Sequence, residues 1–172
     1  MNYIELFAGC GGLSLGLESS GFKLAFANEL SPMAAETYAY NILRKNLRQG
    51  LGRVKNVHWL SSDCLRSDHE GRLNENPQDS AGLDGHICDL DEVEDIGKAL
   101  RGALLVGSIL DLNRIIEREG VIASIKNSLP RGEVDLISGG PPCQSFSMAG
   151  LRQHSNQRNS LPWAFAEFVR KL

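Results

Sequence analysis

The sequence predicts an α/β fold, a mostly parallel sheet with helices on both faces. Three observations predict it. The first 60 of the 172 residues alternate short apolar stretches with helical patterns, as strands joined by crossover helices do. Tyr3 to Gly16 reads as a strand, a glycine-rich turn and a helix start. A later apolar stretch, Val134 to Ser138, runs straight into Gly139-Gly140-Pro141-Pro142-Cys143. Its prolines fix φ and remove two N–H donors, so the loop is stiff. It holds one thiol at the carboxyl end of a strand, where ligands of open α/β sheets bind.

The elements follow in order. Tyr3 to Phe7 is the first strand. Leu13 to Ser20 is a short helix that Gly21 stops. Phe22 to Asn28 is the second strand, delivering Glu29. Ser31 and Pro32 supply an N-cap and a first-position proline to a longer helix. Met33, Thr37, Tyr40, Leu43 and Leu47 recur with a period near 3.6, which predicts its apolar face. Val57 to Leu60 is a weaker strand candidate. Residues 64–100 are rich in Asp, Glu, Asn, Gly and Ser and lose apolar periodicity, which predicts an acidic, solvent-facing insertion within a single domain. Ala103 to Ser108 is the next clear strand. Leu112 to Glu119 is a helix with Leu112, Ile115 and Ile116 on one side and Gly120 as its stop. A last helix starts at Ser160-Leu161-Pro162, with Leu161, Phe165, Phe168 and Leu172 on one face.

Hydrophobic residues make up 42% of the chain and charged residues 23%, ordinary for one globular domain of this length. No apolar run approaches the roughly 18 residues of a membrane span, and no signal-peptide pattern opens the chain. The expectation is a cytoplasmic protein without a membrane partner. Cys10, Cys64, Cys88 and Cys143 show no C-x-x-C spacing, which favours neither a zinc site nor a disulfide framework. His69, His86 and Cys88, with Asp89 and Asp91, match no standard ligand template, so no metal is expected. The net charge of −3 argues mildly against a duplex-wrapping protein. The acids concentrate between Asp63 and Asp95, however. Arg44, Lys45, Arg48, Arg53 and Lys55 form one basic segment, and Arg152, Arg158, Arg170 and Lys171 another. Each is either a nucleic-acid contact or a solvated helix face.

From spacing alone, Cys143 is either a nucleophile or a buried structural thiol. Gly9, Gly11 and Gly12 let a ligand approach the backbone closely. They are not the dinucleotide fingerprint, because Ser14 stands where its third glycine would be. Glu29 suits a ribose diol, since a carboxylate can accept from both hydroxyls. It equally suits the acidic start of the helix that follows.

Phe7-Ala-Gly-Cys-Gly-Gly12, Asn28-Glu29 and Gly140-Pro-Pro-Cys-Gln-Ser-Phe-Ser147 resemble three motifs of the cytosine-5 DNA methyltransferases. The resemblance covers residues 2–30 and about 103–172. It implies a Rossmann-like methyltransferase fold, S-adenosylmethionine as cofactor and Cys143 as catalytic nucleophile. It implies cofactor contacts at Phe7, Ala8, Gly9, Cys10, Gly11, Gly12, Glu29, Leu30, Pro142 and Leu161. The family's third motif places an acid near the adenine. Ser108 and Ile109 after the better strand compete with Asp63 after the weaker one, and the better strand favours Ser108 and Ile109. Ser145 and Ser147, at alternate positions after Cys143, suit either a DNA backbone phosphate or ordinary loop capping, and Gln144 either contacts DNA or orients the loop; Arg158 matches a family arginine of open role. The implied activity is methylation of DNA, in the style of bacterial restriction-modification.

The family's cytosine-binding glutamate motif, arginine motif and target-recognition region find no match. The expectation is an incomplete catalytic domain that associates with itself or needs a complementary carboxyl-terminal half. Transfer-RNA methylation, a non-catalytic cofactor-binding remnant and a nicotinamide-dependent oxidoreductase are the competing readings.

Overall fold

The computed structural model describes residues 1–47, 54–60, 88–142 and 160–172. Five strands form one sheet: β1 (Asn2–Leu6), β2 (Lys23–Glu29), β3 (Val57–Trp59), β4 (Ala103–Val106) and β5 (Leu136–Gly139). Their spatial order is β3-β4-β2-β1-β5, and every pairing is parallel. All five carboxyl ends therefore point the same way. β1 is flanked by β2 on one side and β5 on the other, so the chain reverses its direction of travel across the sheet at β1. That is the switch point beyond which α/β sheets bind ligands.

Helices cover both faces, as predicted. The first is α1 (Gly12–Ser19), followed by α2 (Pro32–Tyr38), α3 (Ile96–Leu100), α4 (Ile109–Ile116), α5 (Val121–Ser128) and α6 (Leu161–Lys171). Strand alternation divides the core into two clusters. Ile4, Leu6, Phe26 and Leu105 pack against Leu112, Ile115, Ile116, Ile125 and Phe168 of the later helices. Ala27, Leu104, Val106, Val57 and Trp59 pack against Ala35, Tyr38 and Ala39 on the α2 side.

Several expectations change. The predicted apolar face of α2 holds only at its far end: Met33, Thr37 and Tyr40 are exposed, Leu43 and Leu47 pack into the core, and Ala35, Tyr38 and Ala39 are the residues buried between. Small alanines let α2 lie close to the sheet, and the helix widens into a π-turn over Ala39–Leu43, which breaks the 3.6 period. It ends with Arg44 in the left-handed region and Lys45 N–H donating to the Ala39 carbonyl, a glycine-type stop made without glycine. Ser31 caps α2 as predicted, accepting from Ala34 N–H at 3.4 Å.

Residues 88–100, read as the end of a solvent-facing insertion, are part of the core. Leu90, Ile96 and Leu100 are buried there, and Asp95 caps α3 by accepting from Lys98 N–H. Val57–Trp59 is a true strand. The helix predicted to stop at Gly120 ends earlier, at Ile116 with Glu117 as its C-cap, and Gly120 instead caps α5, a helix the sequence reading missed. Among the described residues, no helix is long and apolar enough to cross a membrane.

Candidate cofactor site

The loops leaving β1, β2, β4 and β5 meet at one end of the sheet. The chain turns sharply after β1. Phe7 and Gly9 have φ of 56° and 55°, and Gly11 has 88°. A side chain at Gly11 would also strike Ile42 and the Tyr38 ring, at 2.8 and 3.0 Å from its Cβ. The positive φ of Phe7 costs energy in a non-glycine residue and is held by neighbouring bonds. Ala8 N–H donates to the Asn28 carbonyl at 3.0 Å, and Gly11 N–H to the Ala8 carbonyl at 3.0 Å.

Glu29 ends β2 with its carboxylate already oriented. One oxygen accepts from Gly9 N–H and the other from Ser31 N–H, each at 2.7 Å. Its carbonyl accepts from Gly107 N–H at 2.9 Å. Each carboxylate oxygen keeps a lone-pair direction for another donor. Across the gap, Ser108 caps α4, its hydroxyl oxygen accepting from Leu110 N–H at 3.1 Å.

These loops enclose a cavity of about 250 Å³, near the lower limit for small-molecule pockets. Seven sequence-predicted residues line it: Phe7, Glu29, Leu30, Ser108, Ile109, Pro142 and Leu161. Asn28, Gly107 and Gly140, to which the sequence reading assigned no cofactor contact, complete the wall. The cavity is a mostly apolar slot with the Glu29 carboxylate in its wall. Ala8, Gly9, Cys10, Gly11 and Gly12 stand outside its wall. Ala8 belongs to the α2-side core, Cys10 is exposed, and Gly9 acts on the site through Glu29. Cys143, Gln144, Ser145 and Ser147 lie outside the described residues, as do Asp63 and Arg158. Sequence alone puts Cys143 next to Pro142 of the cavity wall.

A second polar assembly lies behind the glycine loop. Ser14 of α1 donates to the buried Glu5 carboxylate and accepts from Tyr3 Oη at 3.0 Å; its oxygen is 2.8 Å from Tyr38 Oη. Burial raises the Glu5 carboxyl above its ordinary value, opposed by the Ser14 bond and reinforced by Glu18 and Glu29. Burial also pushes the Tyr3 phenol up to about 12. This assembly ties β1, α1 and α2 together beneath the loop.

The described parts of the basic segments face away from the cavity. Arg44, Lys45 and Lys55 lie between the end of α2 and the start of β3, at the amino ends of the strands. Lys171, at the far end of α6, is paired with Glu117 and Glu167 at 2.7 and 2.9 Å. Among the described residues, no cluster of His, Cys, Asp and Glu could hold a metal.

The match to a family model covers the β1, β2 and β5 sides of this site but not the loop after β4. Residues 1–55 and 110–172 fit the model for C-5 cytosine-specific DNA methylases. The chain belongs to that family. Its similarity to individual methylases runs nearly end to end. It is 29% identical over 170 residues to the type II methyltransferase M.DdeI of Desulfomicrobium norvegicum, covering 99% of this chain and 24% of that protein. It is 28% identical over 169 residues to M.HindV of Haemophilus influenzae, covering 98% of this chain and 33% of the relative. The DNA (cytosine-5)-methyltransferase 1A of Oryza sativa subsp. japonica is 28% identical over 167 residues, 94% of this chain and 8% of that protein. The chain thus spans a quarter to a third of the two type II relatives. C-5 cytosine methylases use S-adenosylmethionine, and the slot suits a nucleoside: apolar walls for a flat base, and a fixed carboxylate for a diol.

Proposed function

We propose that this chain binds S-adenosylmethionine in the cavity at the strand ends and uses Cys143 to methylate carbon 5 of cytosine in DNA, as part of a restriction-modification system. The observation that carries the reading is the meeting of Phe7, Glu29, Leu30, Pro142 and Leu161 in one slot, from segments matched by one methylase family. The cofactor supplies an electrophilic methyl on a sulfonium.

The protein's tasks follow from cytosine chemistry. Carbon 5 is a poor nucleophile until a thiolate adds to carbon 6. The Cys143 sulfur forms that bond, and the ring's electron pair becomes available at carbon 5. After methyl transfer, the carbon 5 proton leaves to a base, and the electrons freed expel the thiolate. Cysteine suits both addition and departure. The base has to leave the duplex to reach the thiol. Gln144, Ser145 and Ser147 are assigned to holding the DNA strand there. Glu29, held by two backbone donors, accepts from the ribose hydroxyls. Ser108 and Ile109, which line the slot, are assigned to the adenine.

The test is transfer of a labelled methyl group from S-adenosylmethionine to mixed-sequence DNA and, in parallel, to transfer RNA. The expected result is labelled DNA, lost in Cys143→Ala. Label in RNA alone would reassign the substrate. Transfer that survives Cys143→Ala would refute the covalent mechanism. If the chain transfers only when a carboxyl-terminal complement is added, the requirement for a partner is established.

A further inference from the structure

Asn28 is buried, lies at the end of β2 and faces the slot. Its side-chain amide makes two bonds to one neighbouring segment. Nδ2 donates to the Leu105 carbonyl at 3.1 Å and to the Gly107 carbonyl at 3.0 Å. Its own carbonyl accepts from Ala8 N–H, on the other side of β2. One residue thus joins the loop after β1 to the loop after β4. Regular pairing of β2 with β4 ends at Glu29 and Val106. The amide ties down the carbonyl just past that end, immediately before Ser108.

The residue type is demanding. Two carbonyls require two N–H donors on a short, neutral side chain, and asparagine provides both. An aspartate of the same shape would set carboxylate lone pairs against two carbonyl oxygens. Leucine would leave both carbonyls without this donor.

We propose that Asn28 is the positioning residue of the slot, fixing the separation of its Phe7 and Ser108–Ile109 walls and thereby the affinity for the cofactor. The proposal rests on the cofactor reading above. Asn28 does not itself contact the reacting atoms.

The test is equilibrium binding of S-adenosylhomocysteine to wild type and Asn28→Asp between pH 5.5 and 8.5. Ionisable neighbours are few on the strands beside it. β1 carries Tyr3 and Glu5, both turned toward Ser14; β2 carries Glu29 at the slot and Lys23 at its far end; β4 carries none. At pH 8 the variant is expected to bind about 30-fold more weakly than wild type, the scale of two lost hydrogen bonds. Toward pH 5.5 the new carboxyl takes up a proton and can donate to one carbonyl. The ratio of the two dissociation constants should then fall to about 5-fold, the scale of one remaining lost bond.

A ratio that is constant with pH, or close to one at pH 8, would overturn the proposal. If Asn28→Asp loses its helical circular dichroism, Asn28→Ala replaces it. That variant should keep its fold and bind about 30-fold more weakly at every pH, the scale of the same two lost bonds, and normal affinity would again overturn the proposal. Wild type that binds no S-adenosylhomocysteine at any pH would instead bring down the cofactor reading, and this proposal with it.

Discussion

One face of the sheet is covered by α3 to α6 and filled with branched aliphatics and phenylalanine; on the other, α1 and α2 set alanine, serine and tyrosine against the strand residues Leu104, Val106 and Trp59 and a buried carboxyl. On the first face, cohesion comes from apolar area. Phe168 is fully buried and meets Phe26 edge to face, with centroids 6.1 Å apart. On the second face, Glu5, Ser14, Tyr3 and Tyr38 share one hydrogen-bonded cluster, and Ala35 and Ala39 bring the helix close. The first face tolerates no missing volume, whereas the second tolerates no missing partner. The glycine loop rests on the second face, so a precise polar fit lies under the part of the chain that must bend most sharply.

Substitutions sharpen or break this contrast. Phe168→Ala should have the largest effect, about 3–5 kcal/mol of unfolding free energy measured in urea. A loss below about 1 kcal/mol would mean that the aliphatic face is not tightly packed. Ser14→Ala removes only one oxygen, yet it strips Glu5, Tyr3 and Tyr38 of their common partner. It should cost about 1–3 kcal/mol, well above the average for a small buried side chain.

Glu5→Gln tests the same cluster through pH. The folded-state carboxyl lies above its ordinary value of 4.5 because burial disfavours the charge. The neutral form is therefore the one the fold prefers. The ionised form costs stability increasingly as pH rises from 4.5 through the raised value. Glu5→Gln should raise the unfolding midpoint at pH 8, and the gain should vanish below pH 4.5. A gain that persists into acid would show that the charge is not the cause. Smallest of all, Tyr40→Ser on the exposed side of α2 should change stability by less than about 0.5 kcal/mol. A larger loss would restore the apolar face that the periodicity suggested.

The same contrast explains what could be read in advance. Leu112, Ile115, Ile116 and Phe168 are large and regularly spaced, so the first face was legible. Ala35 and Ala39 carry little hydrophobic signal, and the π-turn shifts the residues after them, so the second face was not. β3 has only three residues, too few for alternation to register. Leu90, Ile96 and Leu100 are spaced irregularly among acids, which hid their burial. At the site, the glycine turn and Glu29 announced themselves by residue type and order, and Leu161 only through the family resemblance. Asn28 and Gly107 did not, because an asparagine's role depends on which carbonyls it meets, and those lie 77 and 79 positions along the chain.

The position of β1 in the sheet has a consequence for synthesis. Its first neighbour begins about twenty residues later, with Asn2 opposite Lys23. Its second neighbour is β5, joined where Asp135 meets the Asn2 amide, 133 positions away. On a ribosome adding about 5–20 residues per second, one side of β1 waits roughly 7–27 seconds for its partner strand. Throughout that interval the emerging β1–β2 unit presents an open edge to any other extended chain. The strand that ends the wait is followed in sequence by Cys143, so that thiol is made long after the two strands, β1 and β2, whose ends wall the slot.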